Sequence, residues 1–369
     1  MKYLRSILFL AISFFASFSV ASAHEAYVIS YKDFWSGIHA PFSGHAFDAL
    51  ASSSNLHTTI VIVISVFILL TVSFFIRRSS VGQKMSSFIE RFSRFGPHFV
   101  RVTIGIAFIL SALGDSFLGP ELKVDLLPFH SLIQTTLLII GVMILVGFLT
   151  EIAALLGIVI FLVGMSVFGG YLFTYLNYFG ELLVLLLFGM RVFSIDKYIF
   201  GPLRRFTFFE KYETVIVRVF YGLALVYAAI TVKLLHPDLT VSVVENWHLT
   251  NFHWLFPSDP LLVTLGAGIV ETVIGIFIIF GFEMRLTVLI SLFYITLSLL
   301  YFRELVWPHL LLYGISLNLL VQPEVFTIDH ILFSHHRKAK SWWRRPFSPH
   351  NDRGKSQKGS KETEMSVGA

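Results

Sequence analysis

The 369-residue chain contains no cysteine. Disulfide relays, thiol chemistry, zinc–thiolate sites and iron–sulfur clusters held by this chain are therefore excluded. Charge is also scarce. Charged residues make up 14% of the sequence, against about 25% in soluble domains. Several catalytic signatures are missing: the phosphate loop G-x-x-x-x-G-K-[ST], a G-x-G-x-x-G followed by an acidic residue, the zinc motif H-E-x-x-H and the nucleophile elbow G-x-S-x-G. The longest stretches outside apolar runs are 24–56 and the segment after about 334, each too short for a soluble catalytic domain. The net charge of +5 is not a nucleic-acid signal, because the basic residues gather in loops that flank apolar runs.

What the chain has in abundance is hydrophobic surface, 55% of its residues, with a mean hydropathy of +0.76. Lys2 and Arg5, the apolar stretch Ile7 to Val20 and the A-x-A site Ala21-Ser22-Ala23 read as a signal peptide over 1–23 that leaves His24 as the mature N-terminus. The end of the chain, 334–369, is Lys/Arg-rich and then polar, the composition of a disordered tail. Between them, stretches long enough to cross a bilayer core of about 30 Å occupy 57–76, 99–118, 129–149, 151–168, 171–190, 215–235, 260–282, 286–302 and 305–321. The expected fold class is an all-α polytopic membrane protein with nine transmembrane helices after signal removal.

Loop charge orients these spans. Loop 77–98 holds Arg77, Arg78, Lys84, Arg91 and Arg94, and loop 191–214 holds Arg191, Lys197, Arg204, Arg205 and Lys211. The alternate loop 119–128 has only Lys123, and 236–259 has no Lys or Arg. The positive-inside rule then places the 24–56 lead-in outside and the basic tail in the cytoplasm, in a bacterial plasma (inner) membrane.

The chain also repeats itself. Phe193-Ser194-Ile195-Asp196 returns as Phe326-Thr327-Ile328-Asp329, an offset of 133 (329 − 196). Ile140-Gly141 with Gly147-Phe148 returns as Ile274-Gly275 with Gly281-Phe282, an offset of 134 (275 − 141). Arg101-Val102-x-x-Gly105 returns as Arg218-Val219-x-x-Gly222, an offset of 117 (222 − 105). Matches in the same order imply a duplication, 99–200 and 216–333, with a 17-residue insertion (134 − 117) between the first and second helices of the second copy. Four spans per copy give both the same orientation, related by an axis along the membrane normal. The span 57–76 has no counterpart.

These residues resemble the DoxX family. The features are Arg218 and Gly222 opening a first helix, Gly268-Ile269-Val270-Glu271 with Gly275 and a closing Gly281-Phe282 in a second, Arg285 opening a third, and Asp196 and Asp329 after the fourth. The first copy departs from this pattern, with Leu137 opposite Glu271 and Glu151 opposite Arg285. The resemblance implies a pair of four-helix bundles. It also implies a membrane subunit that works with a quinone-linked oxidoreductase as partner, without a catalytic domain of its own.

Glu271 falls in mid-span, about 11 residues or roughly 16 Å from the outer end of its helix at 1.5 Å per residue. A carboxylate there costs about 2.5–3.5 kcal/mol on insertion scales, so it should face the bundle and be paired or neutral. Tyr227, Tyr294, Tyr313 and Asn318 lie at comparable depth. The expectation is a neutral carboxyl donating to one of those tyrosines, with Lys233 snorkelling to the surface. The alternatives are a structural hydrogen bond and a proton relay or quinone ligand. Glu181 is the buried acid of the first copy, with Asn177 one turn away as a partner.

The outer face carries His130, His248, His253 and His309 among aromatics; interfacial packing explains them as well as a quinone, haem or metal pocket does. His24 at a free N-terminus would present an amine and an imidazole that suit copper(II). The repeated Asp196 and Asp329 read as turn or cap residues, with Arg101 and Arg218 as partners or phosphate anchors. Two other functions stay open beside the redox subunit: a small-solute or ion transporter, and a membrane scaffold or assembly factor.

Orientation is testable directly because the chain is free of cysteine. With Thr250→Cys and His350→Cys made separately, an impermeant maleimide on intact cells should label the first and spare the second. Equal labelling of both would sink the nine-span topology.

Overall fold

The computed structural model describes residues 29–189, 194–199, 212–251, 257–301, 306–322 and 325–333. The signal segment, His24, His253 and the basic tail lie outside them. Among the described residues the chain is helical, with one isolated bridge, Ser116 to Lys123. Its helices are α1 (Tyr31–Ile38), α2 (Ser53–Arg78), α3 (Ser80–Glu90), α4 (Gly96–Leu113), α5 (His130–Val146), α6 (Thr150–Phe168), α7 (Leu176–Phe188), α8 (Ile195–Ile199), α9 (Glu213–Ala228), α10 (Pro237–Asn246), α11 (Pro260–Phe280), α12 (Met284–Tyr301), α13 (Val306–Val321) and α14 (Ile328–Phe333).

Among the described residues, five helical runs are long and apolar enough to cross a membrane: 53–78, 80–113, 150–188, 213–234 and 260–280. Three shorter apolar helices accompany them, His130–Val146, Met284–Leu300 and Val306–Val321. The run 150–188 is a hairpin of α6 and α7. Phe161 meets Phe179 with ring centroids 5.5 Å apart, and a Cβ on Gly157 would stand 2.8 Å from Leu182.

Close helix approach depends on glycine at two crossings. A Cβ on Gly141 of α5 would come within 2.8 Å of the Gly105 carbonyl on α4. A Cβ on Gly275 of α11 would come within 2.8 Å of the Gly222 carbonyl on α9. Small residues at such crossings let backbones touch where apolar burial gives no net drive to associate. Across the middle of the molecule, α7 packs on α9 and α13 packs on α4.

The turns at the ends of α5 and α11 are built alike. Gly147 (φ 72°) and Gly281 (φ 65°) end their helices in the left-handed region that glycine adopts without penalty. The residues two further on, Leu149 (φ 45°) and Glu283 (φ 44°), take that region despite their side chains. An aspartate holds each turn. Asp196 accepts from the Leu149 N–H at 2.7 Å and the Thr150 N–H at 3.3 Å. Asp329 accepts from the Glu283 N–H at 2.9 Å and the Met284 N–H at 2.8 Å. The backbone N–H groups of the same aspartates donate back to Gly147 at 3.1 Å and Gly281 at 3.2 Å. Asp196 thus caps α6, which starts 46 residues before it, and Asp329 caps α12, which starts 45 residues before it. Arg218 does not pair with Asp329. It donates to the carbonyls of Phe326 at 2.8 Å and Val325 at 3.4 Å.

Three elements depart from the sequence expectation of loops. Segment 236–259 contains α10, started by Pro237 in its first turn, where a missing N–H costs nothing. The lead-in contains α1, whose Phe34 is buried against Tyr171. The basic loop 77–98 contains α3, capped by Ser79 through the Gly82 N–H.

Helix α2 stands apart: none of its residues is buried. Its N-terminal end is tied by Asn55, which donates to Asp259 at 2.6 Å and to the Ala49 carbonyl at 2.9 Å. Its C-terminal end is tied by Arg77, 2.6 Å from Asp329 and 3.5 Å from Glu283, and by Ser73, which donates to Glu283 at 2.7 Å. Burial pushes the Glu283 carboxyl above the ordinary range, while Ser73 and Arg77 pull it back.

Asp329→Ala should remove the nearer of the two carboxylates paired with Arg77 and uncap α12 together. The expected loss is about 3–5 kcal/mol, as for breaking a buried pair by removing one partner, read as a lower melting temperature in detergent. Asp196→Ala, which removes the cap alone, should cost less, about 0.5–2 kcal/mol.

Candidate functional site

The most unusual polar feature is an ion pair between two helical segments. The Lys233 ammonium lies 2.9 Å from a Glu271 carboxylate oxygen, and the two side chains are 9% and 13% exposed. This corrects the expectation that Glu271 is neutral and bonded to a tyrosine while Lys233 snorkels outward.

The reason lies in the backbone. After Ala228 the α9 helix widens into a π-helical turn over Ala229–Leu234. Such turns shift the side chains that follow around the helix and recur at functional sites. Here the turn buries Lys233 toward α11. Gly268 makes the room, since a Cβ there would stand 2.6 Å from Leu234 and 3.2 Å from the Lys233 Cβ. Glu271 follows Gly268 by three residues and so shares its face of α11. Ile269, Val270 and Val273, on the same helix, are 41%, 38% and 37% exposed. Ile269 and Val273 stand two positions either side of Glu271, so at about 100° per residue the exposed apolar face of α11 turns away from the pair, which is enclosed between α11 and the π-turn.

The other intramembrane residues singled out by sequence do not gather around Glu271. Tyr227 packs edge-on against Phe173, with ring centroids 5.3 Å apart, and so faces the first half of the molecule. Tyr313 shares a 2.9 Å hydrogen bond with Thr296, fastening α13 to α12. Asn318 accepts from Gln322 at 3.3 Å and lies beside Gly96 at the start of α4. Tyr294 is half-buried on α12. Glu181 is 2% exposed on α7, and its Oε1 has no hydrogen-bond partner among the described residues.

The outer-face histidines do not converge either. His130 and His248 are exposed, and His309 is buried in the first turns of α13. Among the described residues no group of three or more His, Asp or Glu side chains could hold a metal ion.

Two polar clusters escaped the sequence reading. The Tyr221 hydroxyl is fully buried between Ser291 at 3.2 Å and Ser316 at 3.1 Å. In the turn after α4, Glu121 is 4% exposed and accepts from Tyr171 at 2.9 Å and Tyr175 at 2.5 Å. The spacing Tyr171, Tyr175, Tyr178 was a visible signal, but Glu121 sits in a turn with no periodicity to mark its burial.

The architecture is that of a helical membrane protein with a charged pair inside its second half. The DoxX family model matches residues 214–304, which take in α9, the π-turn, α10, α11 and α12. The segment that carries Lys233 and Glu271 is thus DoxX-like. No curated protein matches the chain, and no solved structure does.

The pair can be tested as a unit. Lys233→Met leaves Glu271 without its cation and should destabilise by about 3–5 kcal/mol, whereas Lys233→Met with Glu271→Leu should recover most of that loss. Melting temperatures of the single and double variants give the coupling. Additive losses would show that the two side chains do not act together.

Proposed function

We propose that the protein is a membrane subunit of a quinone-linked redox system, in which Lys233 and Glu271 meet the headgroup of a membrane quinone. The observation that carries this reading is the 2.9 Å pair itself, held almost fully buried between two apolar helical segments. A buried ion pair is a poor source of stability on its own, and ionisable groups inside a membrane mark ligand or proton sites. The Lys233 ammonium can donate to a quinone carbonyl. The Glu271 carboxylate holds that ammonium in place. Reduction to the quinol takes two electrons and two protons; the electrons come from a partner oxidoreductase, one proton comes from the Lys233 ammonium, and the second comes from water, which also reprotonates the lysine.

The same reading includes the nine-span topology and two four-helix halves of like orientation. The twin aspartate caps and the twin glycine crossings support it, as does the reciprocal packing of α7 on α9 and α13 on α4. A transporter is the second reading, favoured by the buried Glu181 with its unpartnered oxygen. Uptake by reconstituted vesicles, lost in Glu181→Gln, would favour it over the redox role.

For the redox role, a short-chain quinone should raise the melting temperature of the protein in detergent. Saturation at about 100 times Kd adds about 2.7 kcal/mol, a rise of several degrees. Glu271→Gln should keep the fold and lose most of that rise. An equal rise in the variant would remove Glu271 from the site.

A further inference from the structure

Next to the π-turn lies a histidine placed between two acceptors. His236 is 5% exposed. Its Nδ1 is 2.7 Å from the Thr231 carbonyl oxygen within the π-turn, and its Nε2 is 3.2 Å from the Ala40 carbonyl oxygen in the lead-in segment. Carbonyl oxygens only accept. A neutral imidazole has one N–H and would turn a lone pair toward one of them, so only the imidazolium satisfies both contacts. Three further contacts join the same two strands of chain. The Ser43 N–H donates to the Leu235 carbonyl at 3.0 Å, and the Phe42 ring lies edge-on to His236 at 5.4 Å. His45 reaches Asp238 through Nε2 at 3.1 Å, with Ser43 Oγ 2.7 Å from its Nδ1.

We infer that His236 is a positioning residue and that its proton fastens segment 40–45 to the π-turn that carries Lys233. The charged and titratable groups around it are consistent with one direction of control. Lys233 on the π-turn is neutralised by Glu271 of α11, so it opposes the imidazolium weakly. Asp238 on α10 is engaged by His45 of the lead-in, so it is not free to turn to His236. As pH rises and His236 loses a proton, one carbonyl contact is lost and the clasp loosens. The inference names a control on the Lys233–Glu271 site and rests on the proposed function for its consequence; the clasp itself rests on geometry.

The test uses the full chain in lipid nanodiscs. Gly44→Cys places a side chain in open space at a backbone conformation any residue adopts, and Glu245→Cys lies on the exposed side of α10. Spin labels at these two sites report the distance between the lead-in and α10. At about pH 5.5 the distance distribution should be narrow; at about pH 8.5 it should broaden. His236→Gln should be broad at both values, because Gln cannot donate to carbonyls on opposite sides. His45→Gln should keep the transition, because His236 remains. A wild-type distribution that does not change with pH overturns the inference. So does a transition lost in His45→Gln, a result that holds even where His236→Gln fails to fold. No quinone is present, so the clasp and the quinone site can fail separately.

Discussion

A backbone polar group at membrane depth has no water to turn to, and this constraint organises the molecule more than any apolar contact. It is sharpest where α5 turns into α6 and α11 into α12, because both chain reversals pass through left-handed residues and leave helix N–H groups pointing outward. Asp196 and Asp329 close those turns from 46 and 45 residues downstream. By doing so they join α5, α6 and α8 in one place, and α11, α12 and α14 in the other, without a long loop. The glycine crossings follow from the same constraint, since tight interhelical packing replaces the hydrophobic drive that lipid removes.

Against that background the Lys233–Glu271 pair stands out. Asp329 earns its burial by capping a helix, and Tyr221 by bridging two serines. Lys233 and Glu271 cap nothing. They are brought together by a π-turn, a backbone irregularity that costs regular hydrogen bonding, and by a glycine that clears the space. An arrangement that uses two local departures to set one ion pair between apolar helical segments is hard to explain as packing alone.

Much of this was readable from composition and pattern. The apolar runs announced membrane helices, and Gly268, Glu271, Gly275 and Gly281 announced the DoxX-like segment. The partner of Glu271 was not legible. A regular helix places Lys233 toward its outer end, free to snorkel; the extra residue per turn at 229–234 redirects it, and no sequence rule used here marks a π-turn. Helix α10 was hidden for a related reason. Its residues are too mixed to show a strong apolar stripe, and the tryptophan and histidines after it read as interfacial loop. Asp329 was recognised as a cap, but its target was not, because a cap that acts across 45 residues has no local signature.

Among the described residues helix α2 is tied near both ends and buries none of its side chains, a beam on two supports. Its 26 residues measure about 39 Å at 1.5 Å per residue, against about 31 Å for the 21 residues of α11. Lipid chains must fill the span between the supports. A thinner bilayer then favours tilt of α2, and a tilt can be accommodated only by moving Asn55 or Arg77 from its anchor. Bilayer thickness thereby becomes a mechanical load on Asp329, and through it on the turn that starts α12.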